Sequence, residues 1–523
     1  MRRYSMATVV GCTVLLAAAT ALSGQAKDVT ILYTNDFHSA IEPVPAYWLP
    51  GSPNLGGAAQ LATLVRSVRE REPGAFLFDS GDMFTGTMSF LTRGRALVEM
   101  MNAMAYDALA IGNHEFDYGA ANCERQMNFA SFPTLGANIY YKGTRHRFSR
   151  PWAIVERNGV RIGVIGVIGL DARSVALPAG IADLDFTDPI EAVREGVKEL
   201  GDSVDLVVVL AHQGMTGPEQ TDAEARPEVQ RGVEEDVRLA EAVTGIAVLI
   251  GGHAHRGIET PIVTPKTGTL VLQTYGYGTR LGYLKLRVRD GRVVTYDGTL
   301  MHVWSDQLTP DPVVTARLEP FRALLAREAG DVVGHVEARL WRDYVRESPL
   351  GDFVADVMRA HAGADMAFEN AGGLRADLPA GAVLRSHVLD ALPFENSVVT
   401  LSLSGRQVRA LLEQSLSLER GMMQVSGIAA TYDLTRPVGS RLVMALVGGR
   451  PLDEERTYTV ATNSFLAQGG DLYTTFLEGR DAKDNQILLS RVVIEHLRSG
   501  PTVRIPPEGR LVPVAPAAQP VAR

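Results

Sequence analysis

Between Val29 and about Val303 short apolar runs, five of them stopping at clusters of polar side chains, alternate with longer stretches of helical period. "VTILYTND" predicts a strand and "LGGAAQLATLVRSVRERE" an amphipathic helix. Strand "AFLFDSGD", helix "RALVEMMNAMAY" and strand "ALAIGNHE" follow. "VDLVVVLAH" and "IAVLIGGHAH" read as buried strands, because Val, Leu and Ile fill both of their faces. Asn158-Gly159 and Asp290-Gly291 each mark a hairpin turn. Strands alternating with helices can bury their apolar faces only in layers, so the expected fold class is α/β with mixed sheets, in a domain of about 280 residues. Pro310 and Pro312 then open a helical run over 305–330, expected to be a linker helix broken at Pro320. A second α/β domain is expected over 331–513, and the Pro- and Ala-rich residues 514–523 as a disordered tail.

The first 26 residues differ from the rest. Arg2 and Arg3 precede an apolar run from Val9 to Leu22, and small residues follow through Ala26. This is the pattern of a secretory signal, too short in its apolar part to span a membrane, and it predicts a periplasmic or extracellular protein without a stable membrane anchor. Its removal takes two arginines and moves the formal charge from -9 to -11. So acidic a surface is a poor partner for nucleic acid polymers or anionic membranes, and an anionic substrate must be met by metals or a few arginines. Cys123 is the one cysteine beyond the signal, which excludes an intrachain disulfide.

Five of the expected strand ends carry chemistry. Asp36 and His38 follow the first, Asp82 the second, and Asn113, His114 and Asp117 the third; His212 follows the fourth, His253 and His255 the fifth. Ligands in layered α/β proteins sit beyond the carboxyl ends of strands, so these turns can converge on one cleft. His253 and His255, on an extended segment, would share one face. A donor set of His, Asp and Asn without thiolate suits borderline or hard divalent ions such as Zn²⁺ or Mn²⁺.

Taken together, "YTNDFHS", "DSGD", "GNHEFDYG", "LAHQG" and "GGHAH" resemble the five motifs of the calcineurin-like metallophosphoesterases, specifically the 5′-nucleotidase and UDP-sugar hydrolase family. "ESPLGDFVADVM", "NAGGLRADLPAG", "LPFENSVV", "QVSGI" and "NSFLAQGGDLY" extend the likeness through the second domain. The resemblance implies an N-terminal α/β/β/α domain joined to a substrate-binding domain, with two divalent ions (Zn, Mn or Co). One ion would be held by Asp36, His38, Asp82 and His255, the other by Asp82, Asn113, His212 and His253. It further implies that His114 and Asp117 are the catalytic pair, and that 5′-nucleotides lose phosphate by direct attack of a metal-activated water. Phe394 and Phe465 would sandwich the base, Asp471 take the ribose hydroxyls, and Asn370, Gly373 and Arg375 line the phosphate site. Glu115 reads as structural.

One position departs from the pattern. The family usually has an arginine three residues before the Glu of "ESPLG", and here that residue is Tyr344. Arg342 and Arg346 flank it and would share its face on a strand, so they are candidates to replace it. Other activities on the same scaffold stay open at this point: a UDP-sugar or dinucleotide pyrophosphatase, a 2′,3′-cyclic-nucleotide phosphodiesterase, a sulfur-oxidation hydrolase, or a binding protein without catalysis. The sequence leaves the oligomeric state undetermined.

Overall fold

Alternation along the strand Lys27–Thr34 sets the layering. Val29, Ile31 and Tyr33 point to one side and Leu32 to the other, all buried. In the computed structural model, which describes residues 26–214 and 232–514, this strand lies inside a six-stranded sheet. It runs parallel to Phe76–Asp79, which is parallel in turn to Ala108–Ala110, and antiparallel to the hairpin strand Arg280–Arg289. A second six-stranded sheet is centred on Val160–Ile168, Leu206–Gln213 and Val248–His253, all parallel.

The two sheets pack face to face. Ile31, Tyr33, Phe76 and Phe78 of the first meet Val164, Val208, Leu210 and Ile250 of the second in one dry core. The intervening residues, Leu32 and Leu77 on one side and Val207, Val209 and Leu249 on the other, turn outward beneath helices. Helices Ala58–Arg71 and Arg95–Met104 cover the first sheet; Pro189–Leu200 and Glu234–Ala242 cover the second. The result is the α/β/β/α order. At about 1.5–3 kcal/mol for each fully buried side chain of this size, the seam is the principal source of rigidity for the loops at its end.

The helix Pro312–Ala329 is capped by Asp311, whose carboxylate accepts from the Val313 and Val314 amides at 2.8 and 3.0 Å. The expected break at Pro320 does not occur. Pro320 and Ala316, whose carbonyl loses its partner, both lie on the exposed face, where water can satisfy that oxygen. Val314 and Leu318 on the opposite face pack into the core of the first domain.

The C-terminal part is built on a five-stranded mixed sheet, in which Met366–Glu369 and Thr457–Asn463 are neighbours. Met366 and Phe368 face one core and Ala367 the other. Helices Pro349–Ala362 and Leu489–Ser499 cover the Ala367 side; helix Gly405–Ser415 and a four-stranded sheet cover the opposite side. Among the described residues no helix is long and apolar enough to cross a membrane. The expected signal, apart from Ala26, and the expected tail, apart from Val514, lie outside the described residues.

Candidate active site

His212 continues the alternation of Val208 and Leu210, so it points across the seam toward the first sheet. There its Nδ1 donates to the Ser80 carbonyl at 2.8 Å. Its Nε2 faces Asp82 Oδ2 at 3.1 Å and Asn113 Oδ1 at 3.2 Å. These donors call for a cation among them: either a proton on Nε2, for which Asp82 overrides burial and pushes the His212 pKa up to about 10, or a divalent ion in its place. His253 brings its imidazole to the same place, and one donor atom each from Asp82, His212 and His253 lies within 4.8 Å of the others.

A second cluster forms beside it. His38 Nδ1 donates to the Phe84 carbonyl at 3.2 Å, turning Nε2 toward His255 Nε2 at 2.9 Å. Asp36 Oδ1 stands 3.3 Å from that His255 nitrogen. Burial, followed by the Arg375 guanidinium, holds the His38 pKa well below its ordinary value, which leaves the imidazole neutral and able to ligate. Asp82 belongs to both neighbourhoods, since it also groups with His38 and His114 within 4.8 Å. Nitrogen and oxygen donors, imidazoles fixed by backbone carbonyls and no thiolate fit a pair of divalent ions.

Five of these residues are held in the left-handed region: Asp36, His38, Asp82, His253 and His255, with φ between 46° and 70°. Each such non-glycine residue costs of order 1–3 kcal/mol. His253 and His255 were expected to share a face of an extended segment. Instead the strand ends at His253, a tight turn follows with the Ala254 amide bonded to the Gly252 carbonyl at 2.8 Å, and the two imidazoles enter different clusters.

Glu115 holds the loops in place. Its buried carboxylate accepts from the amides of Asp82 at 2.9 Å, Met83 at 2.8 Å and Gly112 at 2.7 Å, tying two strand ends together. Gly112 is required at this crossing because an added Cβ would stand 2.2 Å from Asp82 Oδ1.

The stretch after it forms a single 3₁₀ turn, His114–Phe116, in which residues three apart eclipse. That geometry sets His114 Nδ1 2.9 Å from Asp117 Oδ1, while Thr85 Oγ1 donates to the other carboxylate oxygen at 2.5 Å. Burial opposes the charged imidazole, but the Asp117 and Asp82 carboxylates outweigh it and raise its pKa. His114 Nε2 faces the cleft, 3.9 Å from Asp82 Oδ2.

The cleft is walled from above by residues of the C-terminal domain. Arg375 reaches down to His38, Nη2 to Nε2 at 3.3 Å. Asn370 donates to Asp471 at 2.8 Å and accepts from Asn463 at 2.9 Å. Gly373 lies against Asn370, where a Cβ would come 2.9 Å from Asn370 Oδ1. Burial pushes the Asp471 pKa up to about 6 against the pull of Arg420. Phe394, Phe465 and Asp471 all line the cleft. Phe394 is not remote from the chemistry, because its ring stacks on His114 with centroids 5.6 Å apart.

The expectation for Arg342 and Arg346 fails. Residues 341–348 form a bend, with Asp343 accepting from the Val345 and Arg346 amides at 2.8 and 3.0 Å, so strand alternation does not apply. Arg346 pairs with Asp343 at 2.8 Å and its side chain is 60% exposed, while the Arg342 amide donates to Asp377. Neither lines the cleft, whereas Tyr344 does. Sequence reading passed over Asp171 and Arg420, which meet above His253. No local pattern marks either residue, since they lie far apart in the chain and in different domains.

Paired His/Asp clusters at the end of a two-sheet sandwich, beside a His–Asp pair, define a metallophosphoesterase centre. Comparison with known proteins agrees. A family model described as calcineurin-like phosphoesterase matches residues 29–257, and one described as 5′-nucleotidase, C-terminal domain, matches 332–478. The chain belongs to the 5′-nucleotidase family of calcineurin-like metallophosphoesterases. It is 28% identical to a 5′-nucleotidase of Diplobatis ommata, over 98% of this chain and 95% of that protein. It is also 28% identical to the trifunctional nucleotide phosphoesterase protein YfkN of Bacillus subtilis, over 92% of this chain and 35% of that longer protein. The crystal structure of a 5′-nucleotidase precursor from Thermus thermophilus superposes with a TM-score of 0.82, at 29% identity, over 94% of this chain and 100% of that one.

Removal of the Glu115 carboxylate should leave the three buried amides unpaired. At about 1–3 kcal/mol per stranded group, Glu115→Ala should lose about 3 kcal/mol or more of stability. Urea denaturation of the metal-stripped protein measures this, and an unshifted midpoint would show that water replaces the carboxylate.

Proposed function

We propose that the protein is an exported 5′-nucleotidase, a metal-dependent phosphomonoester hydrolase whose first domain performs the chemistry and whose second selects the nucleotide. One observation carries the reading. Asp82, His253 and His255 of the two donor clusters, with Asn113 and the His114–Asp117 pair, line the same cleft as Phe394, Phe465 and Asp471. Relatives named 5′-nucleotidase that align along nearly the whole of both chains support it.

Asp36, His38, Asp82 and His255 would hold one ion, and Asp82, Asn113, His212 and His253 the other. Bound there, two divalent ions polarise the phosphoryl oxygens and lower the pKa of water. Asn113 contributes a neutral donor, which preserves positive charge for the phosphate. His114 keeps a proton on Nδ1 toward Asp117 and presents Nε2 to the cleft, where its raised pKa suits it to stabilise charge on the transferring group or protonate the leaving oxygen. Arg375 offers a planar two-donor grip for phosphoryl oxygens, with Asn370 and Gly373 beside it. Phe465 supplies an aromatic face for the base and Asp471 an acceptor for ribose hydroxyls. The division into 27–304, 305–330 and 331–513, and export through residues 1–26, belong to the same proposal.

Product analysis tests the substrate class: adenosine and phosphate from AMP, UMP and glucose 1-phosphate from UDP-glucose, and a ring-opened monoester from 2′,3′-cyclic AMP. AMP should be cleaved fastest, chelation should abolish the activity, and Mn²⁺, Co²⁺ or Zn²⁺ should restore it. Preference for UDP-glucose or the cyclic ester would replace the nucleotidase reading, and full activity in a metal-free preparation would end the two-ion one.

His114→Ala should lower kcat by about 10²–10⁴. Its metal content should match the unaltered protein, because His114 is not among the proposed ligands; loss of both ions would place it in the coordination sphere.

Phe465→Ala should remove about 1–3 kcal/mol of base stacking, roughly a five- to hundredfold loss in kcat/KM for AMP. Hydrolysis of a simple aryl phosphate should barely change. Phe465 is the cleaner probe because Phe394 also supports His114. Equal losses on both substrates would make Phe465 a core residue.

A further inference from the structure

The Arg420 guanidinium lines the cleft with its side chain only 9% exposed. Its Nε and Nη1 are buried and have no hydrogen-bond partner. The nearest acid, Asp171, stands 3.8 Å from Nη1, an ion-pair contact too long for a hydrogen bond. Arginine cannot discharge itself by losing a proton, so a buried guanidinium with open N–H groups is costly unless acceptors meet it. A ligand rich in acceptor oxygens removes that cost.

The local chain is shaped to deliver this side chain. Gly421 has φ of +75°, and a Cβ there would lie 2.7 Å from the Tyr344 carbonyl and 3.1 Å from the end of its ring. The Met422 amide then bonds to the same Tyr344 carbonyl at 2.8 Å. The segment thus runs flat beneath Tyr344, and Arg420, one residue before the left-handed turn, faces the cleft. Arg375 approaches the site beside His38; Arg420 approaches it beside His253, since Asp171 lies 3.3 Å from His253 Nε2.

We infer that Arg420 is a second phosphate-gripping residue, serving the His253 side of the centre as Arg375 serves the His38 side, with Asp171 as the counter-ion that the bound phosphate displaces. The inference rests on the phosphohydrolase reading and adds a residue to it. Arg420 thereby performs, from a different segment, what the tyrosine at 344 cannot. It makes an opposite-signed pair of predictions, because Asp171 competes with the phosphate that Arg420 attracts.

The test is calorimetric titration of the metal-loaded full chain with inorganic phosphate. Arg420→Ala should weaken binding about 10- to 100-fold, the usual worth of a charged hydrogen bond. Arg420→Lys should recover part of the loss, and Arg420→Gln, which keeps an N–H donor but is shorter and uncharged, should bind weakly. Asp171→Asn should bind phosphate severalfold more tightly with unchanged metal content. Arg346→Ala, altered at an exposed pair outside the cleft, should behave as the unaltered protein. Where the alanine variant fails to fold, the lysine and glutamine variants decide. Unchanged phosphate affinity in the Arg420 variants would overturn the proposal. Weaker binding or lost metal in Asp171→Asn would overturn the counter-ion role. Inorganic phosphate carries no nucleoside, so these results stand apart from the AMP assay, whose failure strikes only the nucleotide reading.

Discussion

The buried Glu115 carboxylate joins the turn after Phe76–Asp79 to the turn after Ala108–Ala110 by accepting three of their amides. Everything at the floor of the cleft hangs on that joint. Asp82 Oδ1 accepts the His114 amide at 2.9 Å across it, so this carboxylate and the His114 imidazole are fixed relative to one another. His212 closes the arrangement from the second sheet through its bond to Ser80. The left-handed residues of the site are tolerable because these bonds and the seam below over-determine the loops.

Division of labour between the domains follows from their construction. The first domain supplies a rigid floor of imidazoles and carboxylates at strand ends. The second reaches over it from bends and short helical turns, where Asn370, Arg375 and Asp471 are set by bonds among themselves and their neighbours. Thr87 fastens the two together, its amide bonded to Asp390 at 3.1 Å and its hydroxyl to the Ser386 carbonyl at 3.1 Å. Among the described residues both arginines that line the cleft, Arg375 and Arg420, come from the second domain, so the proposed phosphate grip would be complete only with that domain over the floor. The acidic net charge of the chain and the proposed phosphate site are compatible for this reason: local guanidinium groups, and the ions the site would hold, would carry the recognition.

Much of the floor was legible before folding. Layered α/β packing follows from strand runs that are apolar on both faces, the α/β/β/α order came from the family resemblance, and Asp36, His38, Asp82, Asn113, His212, His253 and His255 stand where those runs stop. His114 and Asp117 were readable as a pair only through the family resemblance; the structure supplies the reason, a 3₁₀ turn in which residues three apart eclipse. The upper half was less legible. Alternation misled at Arg342 and Arg346, since an Asp343-centred bend replaces the strand on which the argument depended. It misled again at His253 and His255, where a left-handed turn sends neighbouring imidazoles to different clusters.

The amino-acid sequence by itself determined which residue types could reach the ends of the strands, because burial of alternate side chains leaves few layered arrangements for such a pattern. It also marked Tyr344 as a departure without revealing its consequence. Only the tertiary structure decided that Arg420 and Asp171 meet over His253. Their pairing depends on two segments about 250 residues apart, whose approach is fixed by the docking of whole domains and by no local periodicity.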